Sequence, residues 1–148
     1  MTPYILAAIL RVATHDPGPP HWRPRWLDVP PAASVAIHVA SILADIDPAY
    51  LAGVARAESS LRLHVTGDHG NAVGLFQLWW RPWRKVAPWL GPVPGSALQQ
   101  GVAAGLVWRH LIRKVGRKNA ARAYAAGRRW RHMTWITPPR WVAAMTDR

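Results

Sequence analysis

The sequence predicts a mainly α-helical domain. Two observations carry that expectation: apolar residues recur at i, i+3 and i+4 over several stretches, and residues that start and stop helices bracket those stretches. A third is negative. Few β-branched runs alternate with period two, which leaves room for at most a small hairpin in the turn-rich segment from Leu61 to Val73.

Tyr4 to Leu10 is a short apolar segment that reads as a packing helix. It has the length of a signal-peptide core, but no basic residue precedes it and no convincing small-x-small cleavage site follows. From His15 to Pro31 the chain carries Pro17, Pro19, Pro20, Pro24, Pro30 and Pro31, with Trp22 and Trp26 between them. Each proline removes a donor and restricts its predecessor, so an extended arm is expected, pinned to the domain by its tryptophans. Residues 1–31 are thus set apart from a helical domain over 32–148.

Within that domain, Ala32 to Ile46 places Val35, Val39, Ile42, Leu43 and Ile46 on one helical stripe. Asp47-Pro48 is an N-cap followed by proline at the first helical position, where the missing N–H costs nothing. The helix so started ends in Glu58-Ser59. Gly67-Asp68, Gly70 and Asn71 punctuate the next loop, being residues that tolerate positive φ and turn the chain back. After Gly74 to Trp80, Pro82, Pro88, Pro92 and Pro94 break the chain from Trp83 to Gly95 into short turns. Ser96 with Gln99 is a capping-box signature that opens the longest helix, through Leu98, Val102, Leu106, Val107, Leu111, Ile112 and Val115, stopped by Gly116. Asn119 to Ala126 is a small-residue helix closed by Gly127, and Thr137-Pro138 caps a last helix through Trp141, Val142 and Met145.

Composition narrows the class. With 148 residues, 50% of them hydrophobic and 10 tryptophans, the chain can bury the core of one domain and is not disordered. Zero cysteines exclude a disulfide framework and a thiolate metal site. No segment reaches the roughly 18 consecutive apolar residues of a membrane-spanning helix. Lys+Arg 19 against Asp+Glu 7, a net charge of +12, asks for an anionic partner: nucleic acid, an acidic membrane, or a cell-wall polymer carrying carboxylates and phosphates.

The residue around which chemistry can be built is Glu58, the only glutamate in the chain. Leu51, Val54, Ala55 and Glu58 fall at i, i+3, i+4 and i+7, so the carboxyl leaves the helix from its apolar stripe. Burial penalises the charged form and lifts the pKa toward the range where a carboxyl donates a proton near neutrality. The plain alternative is a solvated acid in the last turn, where the helix dipole disfavours negative charge. A chain that uses glutamate nowhere as a surface residue favours the first reading.

From about Asp47 to Met145 the chain resembles the soluble lytic transglycosylase domain, a lysozyme-like helical fold related to goose-type lysozyme. Glu58-Ser59 ends a helix, as the family's Glu-Ser pair does. Gly74-Leu75-Phe76-Gln77 stands where the family has Gly-Leu-Met-Gln, and Ala123-Tyr124-Ala125-Ala126-Gly127 where it has Ala-Tyr-Asn-Ala-Gly. Pro138-Pro139-Arg140-Trp141-Val142 is similar to the short terminal helix that follows. Phe76 for Met is a conservative change in a groove wall; Ala125 for Asn removes a polar group.

That resemblance implies cleavage of peptidoglycan between N-acetylmuramic acid and N-acetylglucosamine by one catalytic acid, Glu58. The substrate's N-acetyl group assists departure, and the same glutamate then acts as base on the 6-hydroxyl, closing a 1,6-anhydro ring. Tyr124 is expected beside Glu58, its hydroxyl bonded to the carboxyl or the substrate and helping to hold the protonated form. Gln77 is expected to offer its amide to an N-acetyl group or to the bond being cut, and Phe76 with one or two tryptophans to line the groove. Ser59 is expected to anchor the helix end through a hydroxyl-to-backbone bond. Gly74, Leu75 and Gly127 complete the motifs. No cofactor or metal is implied. Asp68 is the candidate for a second carboxyl of the kind most glycosidases use, although beside Gly67 it reads first as a turn residue.

His64, His69 and Asp68 match no common metal-ligand spacing, and no nucleophile elbow is present. The rival of another class is a nucleic-acid-binding or structural virion protein: twelve of the nineteen Lys and Arg lie between Arg81 and Arg131, among Trp79, Trp80, Trp83, Trp108 and Trp130. A hydrolytic muramidase is the alternative within the enzyme class. Small size, strong basicity and the absence of a convincing signal sequence suggest a phage-delivered or virion-associated protein acting at the bacterial cell wall, with a conjugation apparatus as the next context.

Overall fold

A computed structural model describes residues 29–79, 81, 84, 88 and 95–126. Their architecture is mainly helical: α1 (Pro31–Ala44), α2 (Pro48–Ser59), α3 (Ala97–Val115) and α4 (Arg117–Ala126), with a small antiparallel sheet between α2 and α3. The expected N-terminal helix, most of the expected proline-rich arm and of the turns expected from 83 to 95, Gly127 and the expected terminal helix lie outside the described residues.

Local chemistry explains the boundaries. Pro31 takes the first position of α1, and Asp45, in the left-handed region at φ 55, ends it two residues short of the expected Ile46. Ile46 stays in the core beyond that end, its N–H bonded to the Ser41 carbonyl. At the start of α2 the Asp47 carboxylate accepts from the Ala49 N–H at 2.8 Å. Ser96 and Gln99 form both halves of the capping box on α3, and Gly116 at φ 80 stops it. Helix α4 begins directly after that glycine, two residues before the expected Asn119.

Small residues let α1 and α3 approach closely. A Cβ on Gly101 would stand 2.6 Å from the Ala36 carbonyl oxygen, and one on Gly105 would stand 2.7 Å from Leu43 Cβ. Around this seam Ile37, Val39, Leu51, Val54, Leu75, Phe76 and Trp108 form the interior.

The loop after α2 corrects one expectation. It holds three two-residue strands, β1 (Thr66–Gly67), β2 (Ala72–Val73) and β3 (Leu78–Trp79), with Thr66 opposite Val73 and Ala72 opposite Trp79. The third strand lies beyond the segment in which a hairpin was expected. Strands this short are held by neighbouring contacts, so they leave no period in the sequence.

Candidate active site

Glu58 leaves the last turn of α2 at intermediate exposure, while Leu51, Val54 and Ala55 on the same stripe are buried. Burial raises its pKa above the ordinary glutamic value. Its place at the negative end of α2 acts in the same direction. Directly after it, Ser60 and Leu61 both adopt left-handed φ values, 53 and 63, so that Leu61 N–H bonds back to the Ala55 carbonyl. Asp68, His69 and Gln77 are also left-handed, so five of the six described non-glycine residues of this kind lie between Glu58 and Gln77. Each such residue costs about 1–2 kcal/mol. Strain gathered in one loop is a feature of functional sites.

The peptide from Gly74 to Gln77 packs under this helix end, and side chains from three helices hold its backbone. Ser59, buried in α2, shares its single hydroxyl hydrogen between the Leu75 carbonyl at 2.7 Å and the Ala55 carbonyl at 2.9 Å. Gln100, buried in α3, accepts from the Leu75 N–H at 2.7 Å and donates to the Leu63 carbonyl at 2.9 Å. Tyr124 of α4 donates its hydroxyl to the Phe76 carbonyl. Gly74, at φ 76, leaves room for the Gln100 amide: a Cβ there would stand 2.7 Å from Gln100 Cδ.

Behind the peptide, Tyr124 stacks on Trp108 at 4.5 Å between ring centroids, and Trp108 meets the Tyr50 ring edge-on at 5.9 Å. Burial lifts the Tyr124 phenol well above its usual pKa, and the negative charge of Glu58 lifts it further, followed by that of Tyr50. Tyr124 and Glu58 are therefore within electrostatic reach of each other.

Hydrogen bonds and burial narrow three of the expected roles. The Phe76 side chain is 1% exposed and belongs to the core, so it lines no groove. Both hydrogens of the Gln77 amide are spent within the loop, on the Val65 carbonyl at 3.1 Å and the Gly74 carbonyl at 2.9 Å, and none is left for an N-acetyl group. The Tyr124 hydrogen goes to Phe76, so the phenol cannot also donate it to the Glu58 carboxylate. Ser59 anchors the helix end as expected and ties it to Leu75 as well. Leu75 contributes a core side chain and a clamped backbone.

Asp68 is exposed and sits in the turn between β1 and β2, where its carbonyl accepts from Asn71. His64 and His69 are exposed too, and among the described residues no three His, Asp or Glu side chains gather to hold a metal. Ala125 is exposed on α4.

Gln100 is a functional candidate that sequence reasoning missed. Its signal was a polar side chain three and four residues before the buried Ala103 and Ala104, on the stripe that ends in Trp108.

Comparison of the chain with family models, with curated proteins and with solved structures gives no match. Among the described residues no helix is long and apolar enough to cross a membrane.

Proposed function

We propose that the protein is a peptidoglycan lytic transglycosylase in which Glu58 is the acid and then the base. One observation carries the reading: a half-buried carboxyl at the end of α2, its protonated form favoured by burial, beside a peptide that Ser59, Gln100 and Tyr124 hold in place. Protonated Glu58 gives its hydrogen to the glycosidic oxygen as the bond from that oxygen to the muramic C1 breaks. The substrate's N-acetyl oxygen closes on C1. Glu58, now a carboxylate, takes the hydrogen of the 6-hydroxyl, whose oxygen displaces the acetyl oxygen and forms the 1,6-anhydro ring. No water is consumed, and Glu58 ends protonated.

Tyr124 supports the first half of that cycle. With its hydrogen committed to Phe76, the phenol has only acceptor lone pairs to turn toward the nearby Glu58, and these suit a protonated carboxyl better than an ionised one. Trp79, 55% exposed on β3 and two residues from Gln77, offers a flat apolar face suited to a sugar ring. Delivery from outside the target cell, by a virion or a conjugation apparatus, fits the composition.

The test is digestion of purified peptidoglycan followed by mass measurement of the released muropeptides. Products lighter than the hydrolytic ones by one water are expected. Hydrated products would make the protein a muramidase and return Asp68 to candidacy. Glu58→Gln should lower the rate by about 100- to 10,000-fold. It should not destabilise the protein at neutral pH, and the sign follows from the raised pKa. Stability from a carboxyl whose folded pKa is raised is fully present below the unfolded value of about 4.3. It is lost as pH rises through the folded value, so at pH 7 the ionised group is a cost that glutamine removes.

A further inference from the structure

We infer that the elbow between α3 and α4 is a second, non-catalytic surface that holds a linear phosphodiester polymer of the cell envelope. The choice of an envelope polymer rests on the wall-cleaving reading above. Between Asp68 and Asp147 the chain has no acidic residue, so α3 and α4 carry only positive charge. Arg113 and Lys114 stand in the last turn of α3, Arg117 and Lys118 in the first turn of α4, and all four are exposed around Gly116.

The two pairs differ in their local energetics. Arg113 and Lys114 sit at the negative end of α3, where its dipole favours cations. Arg117 and Lys118 sit at the positive end of α4, where the dipole opposes them and the first pair repels them. Asp45 relieves Arg117, with 2.9 Å from its carboxylate to the guanidinium and 2.7 Å from its carbonyl. Among the described residues Arg113, Lys114 and Lys118 have no acidic partner. Lys118 alone is left opposed by the dipole with no acidic partner, and an external anion would compensate it and use the free charges of Arg113 and Lys114 beside it.

A chain of phosphates suits this surface. Each phosphate needs only a nearby cation, and a mixed Arg and Lys cluster supplies point charges and planar donors together. A single-stranded nucleic acid would also need exposed aromatic faces for its bases. On these two helices Trp108 is fully buried and Tyr124 is stacked against it, so the elbow offers cations for phosphate and no base platform. The surface is also remote from the acid. Arg117 bonds to Asp45, just before α2 begins, and from Asp47 to Glu58 the helix rises about 16 Å. A phosphate polymer held at one end of α2 leaves the other end open to a glycan strand.

The test is binding of the full-length protein to a purified glycerol-phosphate polymer over a salt series. The triple variant R113Q/K114Q/K118Q should weaken binding at least about tenfold and reduce the slope of log K against log salt by about 2, because three phosphate-neutralising cations are removed. The charge-retaining R113K/K114R/K118R should bind as the parent does, and both variants should digest phosphate-free peptidoglycan at the parental rate. Unchanged affinity and slope in the glutamine variant, or loss of binding in the charge-retaining one, would overturn the inference. So would tighter binding of a thymidine oligonucleotide through the same three residues, which would make the ligand a nucleic acid. Binding needs no turnover, so the two readings fail separately: a protein that binds the polymer but releases no muropeptides loses only the transglycosylase reading, and one that digests without binding loses only this surface.

Discussion

Two junctions in the molecule are built on opposite principles. The seam between α1 and α3 is small and apolar, with Gly101 and Gly105 seated against Ala36, Ala40 and Leu43. The junction between α2 and the Gly74 to Gln77 peptide is buried as well, but side-chain hydrogen bonds to backbone from Ser59, Gln100 and Tyr124 hold it. Apolar contact is non-directional, so the first junction supplies stability without fixing one peptide in one orientation. Hydrogen bonds are directional and costly to leave unmade, so the second fixes the surroundings of Glu58. The seam thus contributes stability alone, while the polar junction contributes site geometry as well.

The comparison breaks most sharply at the seam. Gly101→Val should destabilise the protein by about 1–3 kcal/mol or more, because its side chain meets the Ala36 backbone rather than a flexible side-chain end. Thermal melting reads the loss, and activity per folded molecule should be unchanged. At the polar junction, Gln100→Leu strands the buried Leu75 N–H, at about 1–3 kcal/mol, while the part-buried Leu63 carbonyl is released to water. Here the folded fraction should also lose turnover, with kcat falling more than KM rises, since the peptide beside Glu58 is no longer fixed. Equal loss of specific activity in both variants would erase the distinction. The smallest effect belongs to Asp47→Ala at the far end of α2, which removes the cap on the Ala49 N–H. It should cost about 1 kcal/mol by denaturant titration and leave the chemistry alone.

The contrast also explains what the sequence could reveal. Asp47-Pro48, the Ser96 to Gln99 box and Gly116 act within a few residues of themselves, so their elements stand where local chemistry puts them. The stripe through Leu51, Val54, Ala55 and Glu58 is local too, and it foretold a partly buried carboxyl. What was not legible depends on distant partners. The Gln100 bonds span 25 and 37 residues and the Tyr124 bond spans 48, and no spacing rule reaches that far. Phe76 and Gln77 point where the three-stranded turn sends them, and that turn consists of strands too short to show alternation. A motif singled out those residues, while the backbone of the loop set which way they face.

The cost carried by Glu58 is open to the cleanest observation. Since the chain holds a single glutamate, selective carbon-13 labelling gives one side-chain carboxyl resonance, free of overlap from any other. Its pH titration should have a midpoint above the ordinary value of about 4.3. Tyr124→Phe, which keeps the ring and removes the hydroxyl acceptor, should move that midpoint down. A midpoint at or below the ordinary value would show a solvated surface carboxylate and contradict the assignment of Glu58 as the proton donor.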